Sequence, residues 1–104
     1  MDETITVYQL KVLLNGGENL QLMDVREAYE HEIANLGGLL LPLSLIEAQK
    51  EDLSLISTDR PVVVYCRSGH RSRKSIALLK ERYGLQNLCN LEGGINEWAR
   101  VIKP

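Results

Sequence analysis

The 104-residue chain has no phenylalanine, one tryptophan, two cysteines and three prolines. With aromatics at 5% of a 44% hydrophobic composition, the core has to be built from aliphatic side chains. No apolar run approaches the roughly 20 residues of a membrane helix, which excludes a helical span. Met1-Asp2-Glu3 opens with acids rather than a basic and apolar leader. Two cysteines cannot make a disulfide framework, so a reducing compartment is expected, and the cytoplasm is the expected location. Charge of one sign is also missing: 12 Lys and Arg against 14 Asp and Glu leave a net charge of −2. A broad electrostatic footprint for nucleic acid is therefore excluded. The chain shows neither internal repeats nor low-complexity runs, and its length fits one domain spanning residues 1–104.

The charge that is present is unevenly placed. Between Cys66 and Arg82 six basic residues (Arg67, Arg71, Arg73, Lys74, Lys80, Arg82) face one acid, Glu81, so this stretch carries +5 and the remainder −7. Any anion is expected to be handled here. Arg73, Lys74, Lys80 and Arg82 are read first as the wet face of a helix.

Short strands alternate with helices. Thr6-Val7-Tyr8-Gln9 matches a capping box that opens a first helix, with Tyr8, Val12 and Leu13 or Leu14 as its apolar spacing, stopped by Asn15-Gly16-Gly17. Residues 20–25 read as a strand followed by a two-turn helix from Arg26 to Ile33. Leu39-Leu40-Leu41-Pro42 is a short apolar run, after which Ser44 is the expected cap of a helix through Ala48. Pro61-Val62-Val63-Val64-Tyr65 is the clearest strand signal, and its unbroken apolarity predicts burial on both faces, as in the middle of a parallel sheet. Ser72 to Tyr83 carries Ile76, Leu79 and Tyr83 at helical spacing, ending at Gly84. Leu88-Cys89-Asn90-Leu91 is a further strand, and Ile95 to Ile102 a last helix holding Trp98, read as a core anchor. The fold class is open, mainly parallel α/β with helices on both faces.

Between the central strand and its helix lies Cys66-Arg67-Ser68-Gly69-His70-Arg71-Ser72. Open α/β sheets place ligands at the carboxyl ends of their strands. Backbone N–H groups and the helix dipole converge on such a loop, Gly69 permits its backbone geometry, and Arg67 and Arg71 add charge at its rim. A thiol there ionises readily, with pKa values of about 3.5 to 7.5 against about 8.5 for free cysteine. Cys66 is thus the expected nucleophile, present as thiolate at neutral pH. Cys89, with Leu88 and Leu91 as neighbours, is read as a buried strand residue rather than a resolving thiol.

The chain resembles a single-domain rhodanese domain across essentially its whole length. The resemblance is carried by the 66–72 loop, by Leu22-Met23-Asp24-Val25-Arg26-Glu27 with Glu30 and Ile33-Ala34-Asn35-Leu36-Gly37-Gly38, and by Leu91-Glu92-Gly93-Gly94-Ile95-Asn96-Glu97-Trp98. It implies a five-stranded sheet, a persulfide on Cys66, and an outer sulfur held by the backbone of residues 67–71. Cys66 would take sulfane sulfur from a small anionic donor such as thiosulfate and pass it to cyanide, a thiol or a sulfur-carrier protein. The segments 32–42 and 98–104 are similar to the rhodanese domain appended to molybdopterin- and thiamine-pathway adenylyltransferases. That similarity supports a second reading, a sulfur-relay or docking module excised from a longer protein.

Loop length bears on a third reading. Related phosphatase loops hold five residues between Cys and Arg, whereas four separate Cys66 from Arg71, and position 72 is Ser72. A smaller ring of donors suits one sulfur atom better than a tetrahedral phosphate or arsenate.

Supporting residues carry two readings each. His70 is an anion contact or a water-facing loop residue. Ser68 and Ser72 offer hydroxyls to the loop, with Ser72 read first as the helix cap. Asp24 braces an arginine of the active loop or caps the next helix, and Arg26 is a candidate substrate contact. Glu92 with Gly93-Gly94 shapes the same rim. No metal or organic cofactor is expected, because the spacings of Cys66, His70, Cys89 and His31 fit no zinc pattern.

Overall fold

The computed structural model describes residues 4–102; the acidic opening at residues 1–3 and the end at residues 103–104 lie outside the described residues. The elements run β1 (Thr4–Ile5), α1 (Val7–Asn15), β2 (Gln21–Asp24), α2 (Ala28–Ile33), β3 (Leu39–Leu40), α3 (Leu43–Glu47), β4 (Val62–Tyr65), α4 (His70–Tyr83), β5 (Leu88–Leu91) and α5 (Gly94–Val101). The five strands form one sheet in the order β1-β5-β4-β2-β3. Every pairing is parallel. β1, two residues long, is the strand that local sequence pattern did not reveal.

All four residues of β4 are buried, as expected for a strand with neighbours on both sides and helices on both faces. Alternation splits them between two cores. Val62 and Val64 face α3 and α4, packing with Met23, Ile46, Ile76 and Leu79. Val63 and Tyr65 face α1 and α5, packing with Val7, Leu10 and Leu91 and with the partly buried Ile95 and Trp98. Each fully buried aliphatic side chain contributes roughly 1.5–3 kcal/mol.

Three local expectations are corrected. The capping box of α1 forms, with Gln9 N–H donating to Thr6 Oγ1 at 3.1 Å, but its buried face is Val7 and Leu10, while Tyr8 and Val12 stand in solvent. Both phases satisfy a helical period, and the position of β1 just before α1 selects between them. Ser44 does not cap α3: Pro42 occupies that position and Ser44 Oγ donates instead to Glu27 Oε2 at 2.9 Å. Nor does Ser72 cap α4, which begins two residues earlier at His70, with Gly69 at the N-cap in the left-handed region (φ 110°).

The order of strands opens a crevice. From β2 the chain moves outward to β3, and from β4 it moves the other way to β5. The loops leaving the carboxyl ends of these two adjacent strands therefore diverge, at the type of position where open sheets bind ligands. Asp24 and Tyr65, the last residues of β2 and β4, are in register, so Cys66 and the Asp24-Arg26 turn share this edge.

Candidate functional site

Cys66 follows β4 directly and is 1% exposed. Its Sγ accepts from the N–H groups of Gly69 at 3.1 Å and Ser72 at 3.4 Å, and Ser72 Oγ lies 3.5 Å away. The positive φ of Gly69 folds the loop back so that these amides, at the head of α4, converge on the sulfur. Burial pushes the thiol's pKa up, but the Ser72 hydroxyl and the amides of Ser72, Gly69 and Ser68 outweigh it and bring it below the ordinary cysteine value.

The other side of the loop is fixed by α5. Ile95 N–H donates to Cys66 O at 2.9 Å and Asn96 N–H to Arg67 O at 3.1 Å, so the first-turn donors of α5 are satisfied by the site's own backbone. That approach is why position 94 is glycine: a Cβ there would stand 2.4 Å from Cys66 O and 2.6 Å from Arg67 O. The Gly93-Gly94 pair is thus part of the loop's support, while Glu92 is exposed.

Arg71 does not project freely. Its guanidinium meets Glu30 of α2 with both oxygens engaged, at 2.6 and 3.0 Å. The Arg71 hydrogen bonds hold the Glu30 carboxyl down at about 2. The expectation that Asp24 braces an arginine of the loop is corrected accordingly: Glu30 does so. Glu30 also accepts from Glu27 N–H at 2.9 Å, closing a capping box for α2. The Glu27-Glu30 spacing was visible in sequence, but nothing local marks the reach across to Arg71.

Asp24 is fully buried and works within its own turn. Arg26 donates to it from backbone N (3.0 Å), Nε (3.0 and 3.2 Å) and Nη2 (2.8 Å), and His31 Nδ1 lies 2.8 Å from Oδ2. Burial pushes the Asp24 pKa up, and these bonds from Arg26 and His31 more than reverse it. Arg26, 5% exposed, spends its remaining reach on Ala34 O at 2.5 Å and lies 5.9 Å over the Tyr65 ring. Its position supports the 34–37 turn. Tyr65 completes the support: its Oη accepts from Leu36 N–H at 3.0 Å and donates to Gly37 O at 3.1 Å. Burial drives its own pKa to about 12, so it stays a neutral donor.

Arg67, Ser68 and His70 are exposed at the mouth. Ser72, by contrast, is fully buried with its hydroxyl turned inward onto Gly69 O at 3.1 Å and onto Asn90 Oδ1. Sequence reasoning placed Asn90 on a strand but gave it no role. Cys89 pairs in register with Val63, toward the amino end of the sheet, and lines a 490 Å³ cavity with Ile5, Leu13, Pro61 and Asn87. That cavity lies at the opposite edge from Cys66. Among the described residues no cluster of three or more His, Cys, Asp or Glu is placed to hold a metal ion, and no helix is long and apolar enough to cross a membrane.

Comparison with known proteins agrees with this geometry. Residues 6–101 match the model of the rhodanese-like domain family. A protein of Mycobacterium tuberculosis described as a probable adenylyltransferase/sulfurtransferase, MoeZ, is 38% identical over 102 residues; the match takes in 97% of this chain and 26% of that protein, so the chain spans about a quarter of this relative's length. A protein of Allochromatium vinosum described as a sulfurtransferase is 40% identical over 88 residues, covering 84% of this chain and 78% of that protein. The solution structure of a rhodanese-like domain from Anabaena superposes with a TM-score of 0.81 at 22% identity, covering 100% of this chain and 78% of that one. Sulfur transfer is the chemistry these named relatives carry, and the chain belongs to the rhodanese-like domain family.

Proposed function

We propose that the protein is a sulfurtransferase in which Cys66 carries the transferred sulfur as a persulfide. The observation that carries this reading is the Cys66 Sγ itself, buried yet met by the Gly69 and Ser72 amides at the head of α4. Donors so arranged stabilise a thiolate and, after transfer, the anionic outer sulfur.

With thiosulfate as donor, the Cys66 thiolate attacks the outer sulfur, a new S–S bond forms, and the old bond leaves its electron pair with sulfite. The enzyme then holds Cys66-S-S⁻. An acceptor nucleophile attacks the outer sulfur and restores the thiolate; cyanide gives thiocyanate, and a thiol gives a new persulfide. No electrons are gained or lost by the enzyme over the cycle, and no step calls for a metal or organic cofactor. Arg67, exposed at the rim, and Arg71 meet the anionic donor, and the backbone of residues 67–71 surrounds the outer sulfur. Asp24 and Arg26 hold the neighbouring turn. A reduced Cys66 suits the cytoplasm as the working compartment.

A second reading concerns the acceptor. Because the chain corresponds to about a quarter of MoeZ, residues 1–104 also suit a relay unit that delivers sulfur to a sulfur-carrier protein and turns over small acceptors slowly. Intact-mass measurement decides the first point: incubation with thiosulfate adds one sulfur atom to the wild type, cyanide removes it as thiocyanate, and Cys66→Ser shows neither. A wild-type mass that never changes with any sulfane donor overturns the proposal. Rates with cyanide, a small thiol and a sulfur-carrier protein then separate the two readings.

A further inference from the structure

The Ser72 hydroxyl has one proton and three neighbours that want it: Gly69 O at 3.1 Å, Asn90 Oδ1, and Cys66 Sγ at 3.5 Å. Directly beside this crowd of acceptors, Asn90 Nδ2 is buried with no hydrogen-bond partner among the described residues. Asn90 is 3% exposed and shares with Leu88 the face of β5 on which α4 packs. A buried, unpaired amide donor next to an over-subscribed hydroxyl is costly on both counts.

The two ends of a carboxamide have nearly the same shape, and which is oxygen is decided by the hydrogen bonds they make. Turning the Asn90 amide places Nδ2 against Ser72 Oγ. The amide then donates, the hydroxyl accepts with a lone pair it has to spare, and its single proton becomes available to the other neighbours. Between a neutral carbonyl and a thiolate, the charged acceptor makes the stronger bond.

We propose that Asn90 is a positioning residue for sulfur transfer: its amide donates to Ser72 Oγ and so directs the serine proton to the sulfur of Cys66. This rests on the reading of Cys66 as the sulfur carrier. Asn90 never touches substrate; it acts by fixing which way one hydroxyl points. The same hydrogen bond stabilises Cys66 Sγ as it leaves as thiolate in the second half-reaction.

The test is a double-mutant cycle read by the pH dependence of Cys66 alkylation with iodoacetamide. Asn90→Leu, which keeps a branched side chain without polar atoms, raises the alkylation midpoint by about one pH unit, a roughly tenfold loss of thiolate below it. Ser72→Ala raises it similarly, and the double variant matches Ser72→Ala alone, because Asn90 has nothing left to direct. An Asn90→Leu midpoint equal to wild type, or one that adds in full to Ser72→Ala, overturns the proposal. Should Asn90→Leu fail to fold by circular dichroism, Asn90→Val takes its place in the cycle, an uncharged side chain suited to a strand and without a proton to donate. Failure of the parent reading looks different: wild-type Cys66 then gains no sulfur from any donor, whatever its alkylation profile.

Discussion

The Glu30–Arg71 pair offers a sharp perturbation. Glu30→Gln keeps the side chain's shape but removes its charge, so the guanidinium of Arg71 is left as an uncompensated cation at the edge of the Cys66 loop. Two consequences run in opposite directions. Stability falls: the carboxyl is depressed from 4.5 to about 2, a shift worth about 3 kcal/mol at face value. The Arg71 side chain is 33% exposed, and solvent screening reduces the expected loss to about 1–2 kcal/mol. Because the folded pKa lies below the unfolded one, this stabilisation is complete above about 4.5 and vanishes as pH falls toward 2. Urea denaturation of wild type and variant should therefore differ at pH 7 and converge in that acid window.

Activity moves the other way. An anionic donor held against Arg71 sits roughly 6 Å from the Glu30 carboxylate, where repulsion at an effective dielectric of about 40–80 amounts to about 0.7–1.4 kcal/mol per unit charge. Removing it should raise kcat/KM for thiosulfate by about three- to tenfold and leave an uncharged polysulfide donor unaffected. High salt should shrink the gain, since the pair lies at the solvent boundary. If the folded variant shows an unchanged or lower kcat/KM for thiosulfate, Arg71 does not meet the donor and the anion is handled by the loop amides and Arg67 alone.

Three further outcomes are expected. Cys66→Ser abolishes sulfur loading measured by intact mass, whereas Cys89→Ser, altered at the opposite edge of the sheet, retains most of it. Asp24→Asn leaves the buried guanidinium of Arg26 without its counter-charge and costs about 3–5 kcal/mol in chemical denaturation, with sulfur loading surviving wherever the fold does. Gly94→Ala drives a methyl group into the Cys66 and Arg67 carbonyls, lowering stability by more than about 2 kcal/mol and the melting temperature with it.

What the sequence made legible is what local pattern determines. The unbroken Val62–Tyr65 run marks the central strand, and a cysteine followed by glycine and arginines at its end marks the loop. The helices were placed to within a few residues, with α4 ending at Gly84 as expected. The misplaced serines share a cause: each depends on which group its hydroxyl meets across the fold. Ser44 and Ser72 both have the composition of caps, yet one is drawn to Glu27 and the other inward to Asn90. Arg26 reads as a free cation in sequence, whereas in the fold its Nε and Nη2 engage Asp24, two residues away. β1 escaped notice since two residues carry no period, and only pairing with β5 defines it.

The distribution of charge changes meaning in the same way. The +5 stretch from Cys66 to Arg82 looked like a field centred on the loop, but the fold returns acids to it: Glu30 meets Arg71, Glu47 meets Lys74 and Glu51 meets Arg82. Among the described residues, at least three of its six cations thus meet acids from segments distant in sequence, which fixes α2, α3 and the 51–59 loop against α4 and reduces the field they offer a ligand. The anion-stabilising capacity at Cys66 then falls mainly to the backbone N–H groups of Gly69 and Ser72. Fixed dipoles in a buried site are screened by salt far less than surface charges are, and they need not reorganise as negative charge moves from one sulfur to the next. A loop that must hold an anion through two successive displacements is better served by such dipoles than by arginine side chains that also hold the helices in place.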